Sequence, residues 1–383
     1  MISSPPPLLS WFDLARLEVP RVFCAAAKAL ELPPVSLTAY RAALSTGGPN
    51  DFYSNGDYWW PDPAAPGGLP YVRRDGQTNP ANFNHHRLAI RRLRDAVAAL
   101  GAAFAISRKN TYALKAAELL HVFFIDPATR MNPHLRYAQA IPGVSEGRGI
   151  GIIDTLHLIE IPVAIEAMSA SPIFDANLVA GLRSWFAAYL DWMITSPNGR
   201  DEGAEKNNHA VAYWLQVAVF ARFTGDERIL AECRRQFKET FLPEQMAADG
   251  SFPAELRRTK PYAYSIFQLD NLVTLAQVLS RPGDELWDFE SPSGRGVRRA
   301  VAFLSPFLAD KTSWPLPPDV QAWDGWPTRS PALLFAGLAF GMASYVELWH
   351  RLPSDPVDEE VQRNLAITQP LLWLPFPSPE KGM

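Results

Sequence analysis

The sequence predicts an all-α protein, an (α/α) toroid built as an incomplete barrel of antiparallel helical hairpins. Three observations carry that prediction. Apolar residues recur at steps of three and four along most of the 383-residue chain, the mark of amphipathic helices. Period-two alternation, the mark of strands, is hard to find. The connections are short on one side and long on the other, at about 47–82, 126–150 and 242–263, so a ring of hairpins gathers the long loops on one rim. A single domain over 1–383 is plausible at this length, with a multi-domain helical array as the second choice.

Helices are expected at about 11–30 and 36–46, parted by Pro33-Pro34. A Gly-, Pro-, Asp- and Asn-rich loop follows and holds Asp57-Tyr-Trp-Trp-Pro-Asp-Pro63. Tyr58, Trp59 and Trp60 read equally well as a lip for stacking sugar rings and as a plug in the side of the core. Over 84–107, Ile90, Leu93, Val97, Leu100 and Phe104 share one helical face, and Arg87, Arg91, Arg92 and Arg94 take the others. A second helix at about 110–125 completes a hairpin. The loop 126–150 is dense in polar and basic residues. Its Gly147-x-Gly149-x-Gly151 spacing is not a dinucleotide loop, because no strand precedes it. Helices resume at about 151–169, 176–194, 205–224 and 226–241, then at 264–280, 294–308 and 329–351. The Pro-rich tail from about 368 is expected to lie on the surface.

Composition narrows the function. The chain is 48% hydrophobic and 20% charged, as a globular protein is. No apolar run is long enough to span a bilayer. The net charge of −4 argues against nucleic acid, whose binders are usually basic. The two cysteines, Cys24 and Cys233, make neither a disulfide framework nor a four-cysteine zinc site and are expected to be buried thiols. Met1-Ile-Ser-Ser-Pro-Pro-Pro shows neither the basic nor the apolar region of a signal peptide, so the protein is expected to be intracellular or to have lost its leader.

Asn207-Asn208-His209 opens a helix of otherwise core type. Buried polar groups without partners are costly, so this cluster needs a role. With Arg257 or Arg258 and with Tyr264 it makes a set suited to an acidic sugar. Removing the proton α to a uronic acid's carboxylate requires that carboxylate's charge to be neutralised, and Arg, Asn and His donors do so. A base takes the proton and an acid protonates the leaving glycosidic oxygen. Cationic neighbours would favour a tyrosine's phenolate, so Tyr264 could serve as base and then acid. His209, with an ordinary pKa near neutrality, could share or replace it as base. A glycoside hydrolase would instead pair carboxylates across a cleft, with candidates in Asp201, Glu202, Glu205 and Glu255. A metal site from His85, His86 and His209 is disfavoured, because adjacent histidines face different sides of a helix. A non-catalytic uronan-binding toroid is the remaining class.

Asp57-Tyr-Trp-Trp-Pro-Asp-Pro63, the Asp126-Pro-Ala-Thr-Arg-Met-Asn-Pro loop, Tyr137-Ala-Gln-Ala-Ile-Pro-Gly143, Glu146-Gly-Arg-Gly-Ile-Gly-Ile-Ile-Asp154, Asn207-Asn-His209 and Glu255-Leu-Arg-Arg-Thr-Lys with Tyr264-Ser265 occur in that order. Over roughly 50–350 the chain resembles the alginate lyase superfamily of (α/α)-toroid polysaccharide lyases. The resemblance implies β-elimination on alginate or glucuronan, leaving 4,5-unsaturated uronate ends. It implies Asn208, His209, Arg258 and Tyr264 as the catalytic set, Arg257 remaining an alternative to Arg258. The Arg–Tyr spacing and Ser265 after the tyrosine look more like the family 38 branch than the mannuronate lyases of family 5. Tyr137, Gln139 and Arg148 read equally as sugar subsites and as loop anchors. With His86, Trp60 and Asn207 they complete the expected substrate-binding set, although Asn207 could serve only to hold the helix start. No metal or cofactor is implied. The partner is an acidic polysaccharide, neither nucleic acid nor membrane, and the implied location is periplasmic or secreted.

Overall fold

The structure is a computed structural model that describes residues 9–375. Helix α1 (Trp11–Leu30) starts at a capping box, in which Ser10 and Asp13 exchange side-chain to backbone hydrogen bonds. These satisfy N–H groups that a helix start leaves free. No second helix follows at 36–46. Only a single 3-10 turn, Leu37–Ala39, forms there. The backbone is drawn elsewhere, because Tyr40 presents its carbonyl to His86 and Ser36 bonds the carbonyl of Thr129.

The hairpins then run in series. Helices α2 (His85–Ser107) and α3 (Asn110–Leu120) form the first, and α3 ends in a π-helical turn, His121–Ile125. The segment expected as one helix at 151–169 is a 3-10 stretch, Gly149–Ile159, running into α4 (Glu160–Met168). Next come α5 (Ala176–Thr195), α6 (Pro197–Gly203), α7 (Asn208–Thr224) and α8 (Glu227–Gln236), the last continuing as π-helix to Gln245. Short α9 (Pro253–Leu256) precedes α10 (Pro261–Leu279) and α11 (Val297–Ala309). The expected helix at 329–351 is two, α12 (Pro331–Phe340) and α13 (Ala343–Arg351), broken at left-handed Gly341. Helix α14 (Glu359–Arg363) was not anticipated.

Helices α2, α4, α7, α10 and α12 pack successively against one another, while α3, α5, α8, α11 and α13 each flank an inner partner. Helices α7, α10 and α12 are buried nearly all round, as helices with neighbours on every side must be. This is the all-α toroid read from the sequence. Among the described residues, no helix is long and apolar enough to cross a membrane.

Strand structure is small and confined to the long loops. Strand β1 (Tyr53–Asn55) pairs in parallel with β4 (Tyr137–Ala140), and β2 (Trp59–Trp60) pairs antiparallel with β3 (Val72–Arg73). The first pair stitches the 47–82 loop to the 126–150 loop. Position 199 admits only glycine. A Cβ there would lie 1.5 Å from the carbonyl oxygen of Met193, a contact that lets α6 fold tightly back on α5.

On the other faces of α2, Arg87, Arg91 and Arg94 are buried in ion pairs; of that group only Arg92 is exposed. Two further expectations change. Cys24 is exposed and Cys233 alone is buried. The tail does not lie on the surface up to residue 374, since Leu371, Leu372, Trp373 and Leu374 are buried; residues 376–383 lie outside the described residues. What fixes the tail is Glu160. It is fully buried and accepts hydrogen bonds from Thr368 N and Oγ1 and from Gln369 N at 2.7–2.8 Å, with Arg94 3.6 Å away. Glu160→Ala leaves those donors without their acceptor and Arg94 without its buried counter-charge, and should cost about 3–5 kcal/mol, as losing one member of a buried pair does. The urea midpoint of unfolding, with an unchanged slope, measures that loss.

Candidate active site

The long loops and the N-terminal ends of α7 and α10 enclose a cleft of about 590 Å³. At the start of α7, Asn207 is the cap, and its side-chain oxygen accepts from His209 N at 2.9 Å. This places the next two side chains. Asn208 is buried, and both its backbone N–H and its side-chain amide donate to Glu255, at 2.8 and 2.6 Å. Glu255 comes from α9, so two helices fix one amide. His209 Nδ1 lies 2.8 Å from Glu202 Oε1 on α6. Burial alone would push the imidazole pKa down. The carboxylates of Glu202, Glu205 and Glu255 outweigh it, so the pKa rises above the ordinary histidine value.

Arg258 and Tyr264 border the same cleft. The guanidinium of Arg258 lies 4.3 Å from the Tyr264 ring centroid and donates to its hydroxyl at 3.2 Å. It also bonds Asp75, at 3.2 and 3.5 Å. Arg257, the alternative, is exposed and does not border the cleft. The Tyr264 hydroxyl is 2.5 Å from that of Tyr58. Burial, with Tyr58 beside it, raises the Tyr264 pKa well above the ordinary value, and Arg258 does not reverse that. The expectation that cations favour its phenolate is therefore corrected. Tyr264 is held as a protonated phenol, which suits it to donate a proton.

Behind these groups lies a buried ionic network. Arg87 pairs with Asp57 and, at 2.9 Å, with Asp154. Arg363 of α14 pairs with Asp57 at 2.8 Å and Glu360 at 2.9 Å, and donates to Tyr58 at 3.2 Å. Gln139 bonds Asp154 at 3.2 Å and holds a positive φ of 48°. Its carbonyl and side-chain oxygens accept from Arg148, at 2.9 and 3.2 Å. Burial pushes the Arg148 pKa down to about 10. A guanidinium so desolvated, and bonded only to neutral oxygens, suits an anionic ligand.

The expected substrate-binding set separates. Asn207, Gln139 and Arg148 border the cleft, and so does Trp59. Trp60 does not; its indole N–H bonds the Gln77 carbonyl at 3.0 Å and its ring lies under Arg74. Its neighbour takes the cleft because successive strand side chains point to opposite faces. Tyr137 packs against Gly47 and His134, outside the cleft lining. His86 is buried with both ring nitrogens engaged, Nδ1 by Tyr53 N at 2.9 Å and Nε2 by the Tyr40 carbonyl at 3.0 Å. It anchors the loop and touches no ligand space. Among the described residues, no three His, Cys, Asp or Glu side chains are grouped to hold a metal ion.

The hydrolase reading fares poorly. Of the four carboxylates considered for it, Glu202 and Glu255 are buried behind His209 and Asn208, Asp201 is exposed, and Glu205 alone borders the cleft. That set supplies no facing pair of the kind the chemistry needs. Sequence reasoning missed the supporting role of Glu202 and Glu255, and also Asp75, Glu360 and Arg363. The one available signal was the i,i+3 spacing of Glu360 and Arg363, which marks a helical pair.

Comparison with known proteins bears on the family and the fold. No curated protein sequence matches the chain. An alginate lyase from Bacteroides ovatus is 32% identical, covers 94% of this chain with 93% of its own, and superposes with a TM-score of 0.82. Alginate lyase A1-III from Sphingomonas species A1 is 16% identical over 87% of this chain and 90% of its own, with a TM-score of 0.53. A structure of that enzyme complexed with a tetrasaccharide is 16% identical over 87% of this chain and 89% of its own, with a TM-score of 0.56. The family model named alginate lyase matches residues 36–314, and this chain belongs to the alginate lyase family.

Proposed function

We propose that the protein is a polysaccharide lyase that cleaves a 1,4-linked uronan, alginate or glucuronan, by β-elimination. One observation supports this most. A fixed amide, an arginine, an imidazole and a protonated phenol, from Asn208, Arg258, His209 and Tyr264, border a single cleft. Asn208 and Arg258 neutralise the uronate carboxylate, so charge developing toward an enolate is stabilised. His209 and Tyr264 handle protons, and Tyr264 protonates the leaving glycosidic oxygen. The phenolate left behind sits beside Arg258 and Tyr58, both placed to donate to it. Arg148, with Trp59 5.8 Å from its guanidinium, binds a further uronate. A polymeric substrate of this kind fits a periplasmic or secreted protein, and the chain acts as one domain.

The assay is absorbance at the ultraviolet band of the unsaturated product, read separately on polymannuronate, polyguluronate and glucuronan. Reducing ends without that absorbance would identify a hydrolase. Binding with neither signal would identify a carbohydrate-binding protein. Tyr264→Phe should lower kcat by about 10²–10⁴-fold, the contribution of a positioned acid, with unchanged circular dichroism; full activity in that variant would sink the mechanism. Asn208→Ala should lose about 10²–10³-fold in kcat, as oxyanion donors do. Arg148→Ala should raise KM roughly tenfold while leaving kcat nearly unchanged, because it binds substrate and transition state alike.

A further inference from the structure

Glu202 is a carboxylate that the proposed reaction does not yet use. It is fully buried, one oxygen is 2.8 Å from His209 Nδ1, and the other has no hydrogen-bond partner. Its ion-pair partner is that imidazole. A buried carboxylate is costly unless its charge is compensated, so the pair is maintained at a price in stability that packing does not explain. A charged carboxylate only accepts hydrogen bonds. Nδ1 therefore carries a hydrogen, and Nε2 is the nitrogen left for the cleft, which His209 borders.

The surroundings of this pair are mostly acidic. Glu202 reaches it from α6, Glu205 from the α6–α7 turn and Glu255 from α9. The 3-10 stretch presents Asp154, and α5 presents Tyr189, both acting on Glu202 at longer range. Arg258 after α9 acts on Glu255, and Tyr264 stands on α10. His157 also borders the cleft, but burial, with Arg94 and Arg91, holds it far below the ordinary histidine value, so it is a weak base.

Resting on the lyase reading, we propose that Glu202 is the positioning residue that makes His209, and not Tyr264, the base. It fixes the Nδ1–H tautomer, presents Nε2 to the substrate and stabilises the imidazolium. The step balances. The C5–H bond breaks and its proton goes to Nε2. Its electrons form the C4–C5 double bond, and the C4–O bond breaks. The leaving oxygen takes the Tyr264 proton. His209 then releases its proton to water and Tyr264 regains one, so the net change is one chain cut into an unsaturated end and a new hydroxyl.

The test is Glu202→Gln, with the pH dependence of kcat and kcat/KM on the accepted uronan, alongside ¹⁵N imidazole spectra of the free protein. A base works deprotonated, so activity rises with pH through the His209 pKa, which the Glu202 charge holds up. Removing that charge should move the rise to lower pH by about one unit. It should also cut kcat roughly 10- to 100-fold, part of the about 10²–10⁴ that a positioned base supplies, with KM within about twofold. The spectra should show Nδ1–H in the wild type and a lower pKa in the variant. In a His209→Ala background the same substitution should cost nothing more. A kcat loss with an unmoved pH profile, an Nε2–H tautomer, or an equal cost in the His209→Ala background would each overturn the proposal. A wild type that yields no unsaturated product from any uronan overturns the lyase reading and the base role with it, before any variant is compared.

Discussion

The cleft depends on one buried cation. The Arg87 guanidinium projects from α2 and bonds Asp57, Asp154 and the Asn55 carbonyl. Those groups come from the first long loop and from the 3-10 stretch. Burial alone would raise the Asp57 carboxyl. Arg363 and Arg87 outweigh it and hold it below the usual range, so the charge persists and the loop stays pinned. Because Asp57 precedes Tyr58, this pin places the hydroxyl that meets Tyr264. Removing one member of such a network leaves others charged and dry, which costs more than the pair's net worth.

Much of the architecture was legible in the sequence because helix periodicity is local. The apolar face of α2 and the positions of the long loops needed only spacing arguments. What stayed hidden was long-range. The arginines of α2 stood only as occupants of its other faces, and nothing near 87–94 in the chain announces partners at 154, 160 and 359. The expected 36–46 helix failed for the same reason: His86 and Thr129 claim its polar groups. Site legibility followed that division. Asn208, His209, Arg258 and Tyr264 stand in short motifs on or beside two helix starts, and the structure brings them to one cleft. Trp60 and His86 failed because strand alternation and loop anchoring decide which neighbour faces the ligand, and neither can be read from residue type.

Acid is placed with purpose here. The cleft's substrate is proposed to be anionic, yet Glu202 and Glu255 sit directly behind His209 and Asn208. Each is shielded from the ligand by the side chain it holds, and each has hydrogen-bonding capacity committed to that side chain. Their charge acts on the imidazole and the amide more than on the sugar. A guanidinium whose hydrogen bonds go to neutral oxygens lies elsewhere in the cleft, at Arg148. In the proposed reaction, separating the two lets one part of the cleft attract carboxylates while the other tunes proton transfer.

The family match ends at residue 314, but the cleft does not. Glu360 and Arg363 of α14 lie in its wall, bound to Lys260, Asp57 and Tyr58. A helix of five residues has little stability of its own. Its position comes from both sides, from the Asp358 cap at its start and from Arg94 and Glu160, which hold the chain at 365–369 just beyond it. Glu160 belongs to the inner ring, so the toroid's core reaches the active site through the C-terminal segment as well as through the rim loops. The segment that the family model matches therefore does not contain the whole cleft, and part of what holds the candidate site in register comes from beyond residue 314.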